Sequence, residues 1–402
     1  MNAPKGPLHG IKVIELCHVM AGPVCGLMLA DMGAEVIKVE KMPNGDDTRR
    51  TVPPKIGDEA AAFMMMNRNK RGIAVDLKTE AGRKVLYRLL ETADVVTENY
   101  SRGTMERLGL GYDTLREMNP RLIYCAISGF GRSGPYADRG GFDLIAQGMS
   151  GLMSITGEGP GRPPVKVGAP VTDITAGILG AMGILAALHA RHQTGKGQMV
   201  DTSLFEAGIV QTYWQSAIAL ATGVAPGPMG SAHPLNAPYE AFETKDGWIN
   251  LGAANQATWL RTLQLLERPD LAEDERFKEA SGRLVHRIAL AKELAVEFRK
   301  RTSAEWLVAL ENAKVPAGPV YDVLQMQADP QTRARDMIVE VNHSTIGPVK
   351  TLGAPIKFSA TPSGVHRSAP IFGEHTSEIL REYGFSPAEI DEMASSRAIH
   401  RA

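Results

Sequence analysis

A chain of 402 residues exceeds the usual range of a single core, so two domains are expected. A composition of 44% hydrophobic and 22% charged residues describes an ordinary soluble globular protein able to bury a large core. Forty-four basic residues against forty-five acidic ones leave a net charge of −1, without the basic excess of a nucleic-acid binder.

The first forty residues read as one βαβ unit. Lys12–Leu16 is a short apolar strand, Pro23 suits the first turn of a helix, and Gly33 ends that helix. Glu35-Val-Ile-Lys-Val-Glu40 reads as a second strand. Ile73–Leu77, Asp94–Glu98 and Leu122–Ser128 are further strand candidates, and Val85, Leu86, Leu89 and Leu90 form an apolar stripe at helical spacing between them. Strands alternating with helices predict an α/β fold with a doubly wound, mostly parallel sheet. Ligands of such sheets bind beyond the carboxyl ends of the strands, here the loops after Leu16, Glu40, Leu77, Glu98 and Ser128. Near Gly223 a connector rich in Gly and Pro begins. Tyr239–Thr244 and Trp248–Leu251 then flank Lys245-Asp246-Gly247, a hairpin signal, and helical patterns run on to about Leu310. A smaller α+β domain over 223–327 is predicted, with 1–222 and 328–402 forming the large one. The tail Thr376–Tyr383 reads as a helix.

Cys17, Cys25 and Cys125 are odd in number and show no CxxC spacing, which suggests neither a disulfide framework nor a zinc site. The N-terminus runs straight into a strand pattern containing Glu15, unlike a signal peptide. Ile174–Ala190 and Ala207–Tyr239 lack formal charge, but the first is short and the second is broken by Gln211, Gln215 and prolines. Both read as buried helices, so no membrane association is expected, and the location expected is cytoplasmic.

Gly129-Phe-Gly-Arg-Ser-Gly134 follows a strand and matches GxGxxG. A dinucleotide site needs a helix opening on the third glycine, and Arg139-Gly140-Gly141 interrupts any helix begun at Pro135, so the segment reads as a loop. Gly131-Arg-Ser133-Gly134 and Gly148-Met-Ser150-Gly151 miss the spacing of a serine nucleophile elbow. His189 and His192 lack nearby carboxylate or cysteine ligands, so no metal is expected. Lys41, Arg49, Arg50, Arg68, Lys70, Arg71 and Lys78 gather where strands end, either as a solvated face or as a lining for phosphates. Asp173 stands where a strand-like segment meets a helix bearing Gly177, Gly180 and Gly183. It reads as a helix N-cap or as a nucleophilic carboxylate beside a close backbone approach.

Together these segments resemble the class III CoA-transferase family (the CaiB/BaiF type, with formyl-CoA transferase and carnitine CoA-transferase). The resemblance runs from about Leu8 to Gly384. It is carried by His18-Val-Met-Ala-Gly-Pro23, Gly33–Glu40, Asn67-Arg-Asn-Lys-Arg71, Ala74–Lys78, Glu98-Asn-Tyr100 and Gly103–Gly111. Asn119–Tyr124, Gly129–Pro135, Pro164–Gly177, Gly195–Gln198 and Gly373-Glu-His-Thr376 add to it. It implies a Rossmann-like large domain and a homodimer whose two subunits thread through each other. It implies Asp173 as the catalytic residue and His18, Val19, Met20, Ala21, Lys41, Val75, Lys78, Asn99, Tyr100 and Arg107 as the CoA site. Coenzyme A and acyl-CoA are then substrates, small carboxylic acids are the partners, and no permanently bound cofactor is needed.

The chemistry implied is exchange of CoA between acids, succinyl-CoA being one candidate donor. The Asp173 carboxylate attacks a thioester to give a mixed anhydride, and returning CoA gives an aspartyl-CoA thioester. Glycine-rich segments around Gly129–Gly141 and Gly230 are candidates for N–H donors and a lid, and Phe142, Asp143, Gly230 and His233 are candidates for the substrate pocket or lid. The middle glycine segment, Met229-Gly-Ser-Ala-His-Pro234, is shorter than in formyl-CoA transferase-like members, against oxalate or formate as substrate. Racemases of the same family place a histidine just before the equivalent of Asp143. Phe142 stands there in this chain, which favours transfer over α-carbon racemisation, and Asp173 speaks against an acyl-CoA binding protein without activity.

Overall fold

The computed structural model describes residues 6–402. The chain forms two compact units. The larger takes the chain up to Leu152, Val167–Gln211 and Pro330–Ala402, and the smaller takes Met153–Lys166 and Thr212–Asp329. The smaller unit therefore starts before the expected boundary at 223 and includes a short segment from the first half of the chain.

The larger unit is built on seven strands: β1 (Lys12–Glu15), β2 (Glu35–Lys41), β3 (Lys70–Val75), β4 (Val95–Glu98), β5 (Ile123–Ser128), β6 (Met199–Ser203) and β7 (Ile399–His400). Their order is β7-β3-β2-β1-β4-β5-β6, parallel throughout except that β7 runs antiparallel on β3. Successive residues of one strand enter opposite cores. Val13, Val36, Val95 and Ile123 pack on one face, and Ile14, Ile37, Val96 and Tyr124 on the other. Burial on both faces is why these strands read as continuous apolar runs.

Helix α1 (Ala21–Asp31) has Pro23 in its first turn, and Gly33, at φ +95°, follows it as expected. Helix α2 (Glu80–Leu90) starts at Thr79, whose side chain accepts the Gly82 N–H, and buries Val85, Leu86, Leu89 and Leu90. Two further helices matter for the site, α3 (Asp143–Met149) and α4 (Val171–Thr194). By length and composition α4 could cross a membrane. Here its glycine face packs on α1 and the sheet, where a Cβ on Gly177 would meet the Ala21 carbonyl oxygen at 2.6 Å, and one on Gly180 would meet Ile127 at 2.9 Å.

In the smaller unit Tyr239–Glu243 pairs antiparallel with Trp248–Gly252, and Ala317–Pro319 adds a third strand. Helices Gln256–Leu266, Arg287–Phe298 and Ser303–Asn312 bury Trp259, Phe298 and Trp306 in its own core.

Candidate active site

The strand order reverses between β1 and β4, and a crevice opens at such a point beyond the carboxyl ends of the strands. The residues that follow these two strands hold each other. Asn99 accepts the His18 N–H through Oδ1 at 3.0 Å and donates to the His18 carbonyl through Nδ2 at 2.8 Å. The His18 ring lies 5.6 Å from that of Tyr100, and burial lowers its pKa from the ordinary histidine value.

Val19 comes next, with φ +66°. A β-branched residue in the left-handed region costs about 1–3 kcal/mol and persists only when its surroundings over-determine it. The Asp46 carboxylate supplies that hold by accepting the Val19 N–H at 3.1 Å. Its other oxygen lies 2.8 Å from Lys38 Nζ, which also donates to the Cys17 carbonyl at 2.8 Å and to Glu15 at 3.1 Å. Lys38 is wholly buried. Desolvation works against its charge, but Asp46 and then Glu15 raise its pKa above the ordinary lysine value.

Asp173 is the third residue of α4. The N-cap position belongs to Pro170, which has no side chain to offer, so the cap reading of Asp173 is corrected. The missing acceptor comes from α3. Asp143 Oδ1 takes the Thr172 N–H at 3.0 Å and the Thr172 hydroxyl at 2.8 Å, while Oδ2 accepts from Gln147 at 2.7 Å. No side chain among the described residues donates to the Asp173 carboxyl. Burial, and then the Asp143 charge, push its pKa up to about 6, against the pull of the helix N-terminus. A carboxyl so placed is ionised at neutral pH yet more basic, and so more nucleophilic, than an exposed aspartate.

Gly177 lies one turn after Asp173 on the same helix face, and it is the residue that meets Ala21. Gly177 faces Ala21 and Val24, and Gly180 faces Cys25, so α1 and α4 run in the same direction and the start of α1 packs on the Gly177–Gly180 stretch of α4. Asp173 thus stands one helical turn before the point where α4 meets Ala21, the residue that directly follows the His18–Met20 turn.

The other expected CoA-site residues occupy neighbouring strand ends. Lys41 and Val75 are register partners at the ends of β2 and β3; Val75 buries its side chain in the core, and its backbone is flanked by Lys41 on one side and Ile399 of β7 on the other. Lys78 and Arg107 are exposed, and Arg107 donates to Thr104 at 2.8 Å. Lys41 donates to both oxygens of Asp47, at 3.0 Å each.

Exposed Arg50 pairs with Asp47 at 2.6 Å, and the remaining members of the basic cluster are structural. Arg68 is buried on Asp31 at 2.6 Å, Lys70 on Glu15 at 2.8 Å, Arg49 on Glu40 at 2.7 Å, and Arg71 bridges Glu35 to Glu378 and Glu382. Phe142 is 75% exposed at the start of α3. The segment Gly129–Gly134 is a loop with no helix on its third glycine. Two of its N–H groups are engaged, Gly131 with Ser128 and Arg132 with Asp201, and the Arg132 side chain pairs with buried Glu98. Gly230 and His233 belong to the smaller unit. The Gly230 N–H bonds the Gly157 carbonyl at 2.8 Å, and the His233 ring packs between Trp214 and Tyr239. Among the described residues no group of His, Cys, Asp and Glu could hold a metal, and His189 and His192 lie in the last turns of α4.

Lys38, Asp46 and Thr172 escaped sequence reasoning. Lys38 carried a signal, because a lysine inside Val-Ile-Lys-Val on a strand buried on both faces needs a partner.

The profile of CoA-transferase family III matches residues 8–376. The chain belongs to this family. This CoA-transferase is 42% identical over 384 residues to a succinate–glutarate CoA-transferase of Agrobacterium fabrum, across 94% of this chain and 96% of that one. It is 40% identical over 392 residues to a succinyl-CoA:mesaconate CoA-transferase of Haloarcula hispanica, across 94% and 97% of the two chains. Among solved structures, a CaiB/BaiF family protein from Brucella suis matches with a TM-score of 0.84 at 40% identity, covering 94% of this transferase and all of that chain.

Proposed function

We propose that this CoA-transferase passes CoA from succinyl-CoA to a second short dicarboxylic acid, with Asp173 as the nucleophile. The observation that carries this reading is the Asp173 carboxyl itself. It is half-buried, free of side-chain donors, raised to about 6, and one helical turn from the contact of α4 with Ala21. The names of the two relatives, with succinate, glutarate and mesaconate in them, support the choice of acids.

In the first step Asp173 attacks the thioester carbonyl, the C–S bond breaks, and CoA leaves as thiolate, giving a mixed anhydride. The thiolate attacks the aspartyl carbonyl, and the first acid departs as carboxylate. The incoming carboxylate attacks the aspartyl-CoA thioester and releases the thiolate again. That thiolate takes the new acyl group and frees Asp173. One thioester is consumed and one is made, so the exchange needs no further energy source. Lys41, Lys78 and Arg107 are proposed to meet the phosphates, and Asn99 with Tyr100 the rest of CoA. The working form proposed is a cytoplasmic homodimer with threaded subunits.

The test is incubation with succinyl-CoA alone. A CoA burst no larger than the number of sites is expected, with hydroxylamine trapping a hydroxamate on the peptide containing Asp173. A panel of carboxylic acids read by mass spectrometry then identifies the acceptor. Trapping on any other residue, or none, overturns the assignment.

A further inference from the structure

Four backbone groups on either side of His18 are held by side chains from three other segments. Lys38 takes the Cys17 carbonyl, Asn99 takes both the N–H and the carbonyl of His18, and Asp46 takes the Val19 N–H. Turns are ordinarily held by their own backbone or by local side chains. Here Lys38 comes from the middle of β2, opposite Glu15 in register, and Asp46 from the segment after β2. Lys38 and Asp46 are wholly or almost wholly buried, and the three ammonium donors of Lys38 match three acceptors, Glu15, Cys17 and Asp46. Asp46 is anchored on its other side by the Thr48 N–H at 2.9 Å and hydroxyl at 2.8 Å. A pair of charges has thus been taken out of water under a turn whose central residue is in a conformation disfavoured for valine.

We propose that the buried Lys38–Asp46 pair is a positioning device, which holds the His18–Met20 turn with Val19 in its left-handed form so that the His18–Ala21 backbone presents the thioester to Asp173. The inference rests on the reading of Asp173 as nucleophile and of His18–Ala21 as the thioester grip. The pair touches no substrate and acts through Val19. Release of the turn lets Val19 relax to negative φ, which redirects the peptides on both sides of it. The parallel placement of α1 and α4 beside this turn carries the error to the reacting atoms, where an ångström matters.

Glycine provides the discriminating test, because it enters the left-handed region without the penalty that valine bears. Hydroxamate formation from succinyl-CoA is measured per folded site in wild type, Asp46→Asn and Asp46→Asn/Val19→Gly, with folding followed by circular dichroism. Asp46→Asn is expected to slow trapping by about tenfold or more at saturating succinyl-CoA, and the added glycine to recover a substantial part of the loss. Where Asp46→Asn fails to fold, Asp46→Glu keeps the charge in the core, displaces the Val19 contact, and is read with the same glycine partner. A single variant that traps at the wild-type rate per folded site overturns the device, as does a loss that glycine does not recover. Wild-type protein that traps nothing on Asp173 instead overturns the nucleophile assignment, whatever the variants do.

Discussion

Asp143 caps the helix that presents Asp173, and the same carboxylate raises the pKa of Asp173. Burial is the larger cause of that rise, so the Asp143 charge holds the proposed nucleophile in position and adds to burial in setting the pH at which it ionises. The arrangement explains why α4 can begin on a proline with no capping side chain of its own.

The pH dependence of the first step follows from this pairing. Protonated Asp173 cannot attack, so kcat/KM for acyl-CoA should fall as the pH drops through about 6. Asp143→Asn keeps an oxygen for Thr172 but removes the charge, so its profile should move to lower pH. A profile that stays in place in this variant excludes Asp143 as a cause of the shift.

Asp173→Asn should cost several orders of magnitude in transfer, because an amide forms no anhydride. It should also stabilise the fold. Folded Asp173 keeps its proton up to about pH 6, whereas an unfolded aspartate releases it near pH 3.9. Wild-type stability therefore declines as the pH rises through that interval. The variant escapes a penalty on the order of 2 kcal/mol above pH 6, and the advantage disappears below pH 4. Urea unfolding of both proteins at pH 4 and pH 7 reads the difference. Equal stability at pH 7 contradicts the raised pKa.

The cations divide into two classes that mutation should separate. Lys78→Ala and Arg107→Ala, at exposed side chains, should raise KM for acyl-CoA with kcat little changed, most strongly at low ionic strength. Arg68→Ala strands Asp31 in the core and should destabilise by about 3–5 kcal/mol with no selective effect on KM. Initial-rate kinetics and denaturant unfolding measured side by side check both.

Gly177→Ala places a methyl group against the Ala21 carbonyl. Backbone cannot rotate away as a side chain can, so the two helices must separate. A loss of about 1–3 kcal/mol is expected by the usual cost of overpacking, together with slower hydroxamate trapping on Asp173. A variant as stable and as fast as wild type would falsify the close approach as the element that sets the geometry.

The sheet was legible because both of its faces are covered. Val36-Ile37 and Val95-Val96 announce strands with no polar alternation to confuse the period. The hairpin around Asp246 and the stop at Gly33 were equally local signals. β6 was not, since Met-Val-Asp-Thr-Ser carries three polar side chains in a row at a sheet edge, and a two-residue strand such as β7 has no period to detect. Sequence singled out Asp173 but misjudged its place, because the cap it was expected to provide comes from Asp143, 29 residues away from Thr172. Arg68 and Lys70 looked like phosphate ligands for a similar reason. Their partners Asp31 and Glu15 lie 37 and 55 positions upstream, and nothing in the local run of charges shows them.

The contact between Gly177 and Ala21 has no side chain on the glycine side to shorten or lengthen. The span from the Asp173 helix to the proposed thioester grip is consequently set by the thickness of two backbones, a dimension that substitution can enlarge but not reduce. Different acids can be accommodated only by recutting the walls around a fixed gauge. In such an arrangement the reacting distance stays constant while the pocket for the acyl group is free to change.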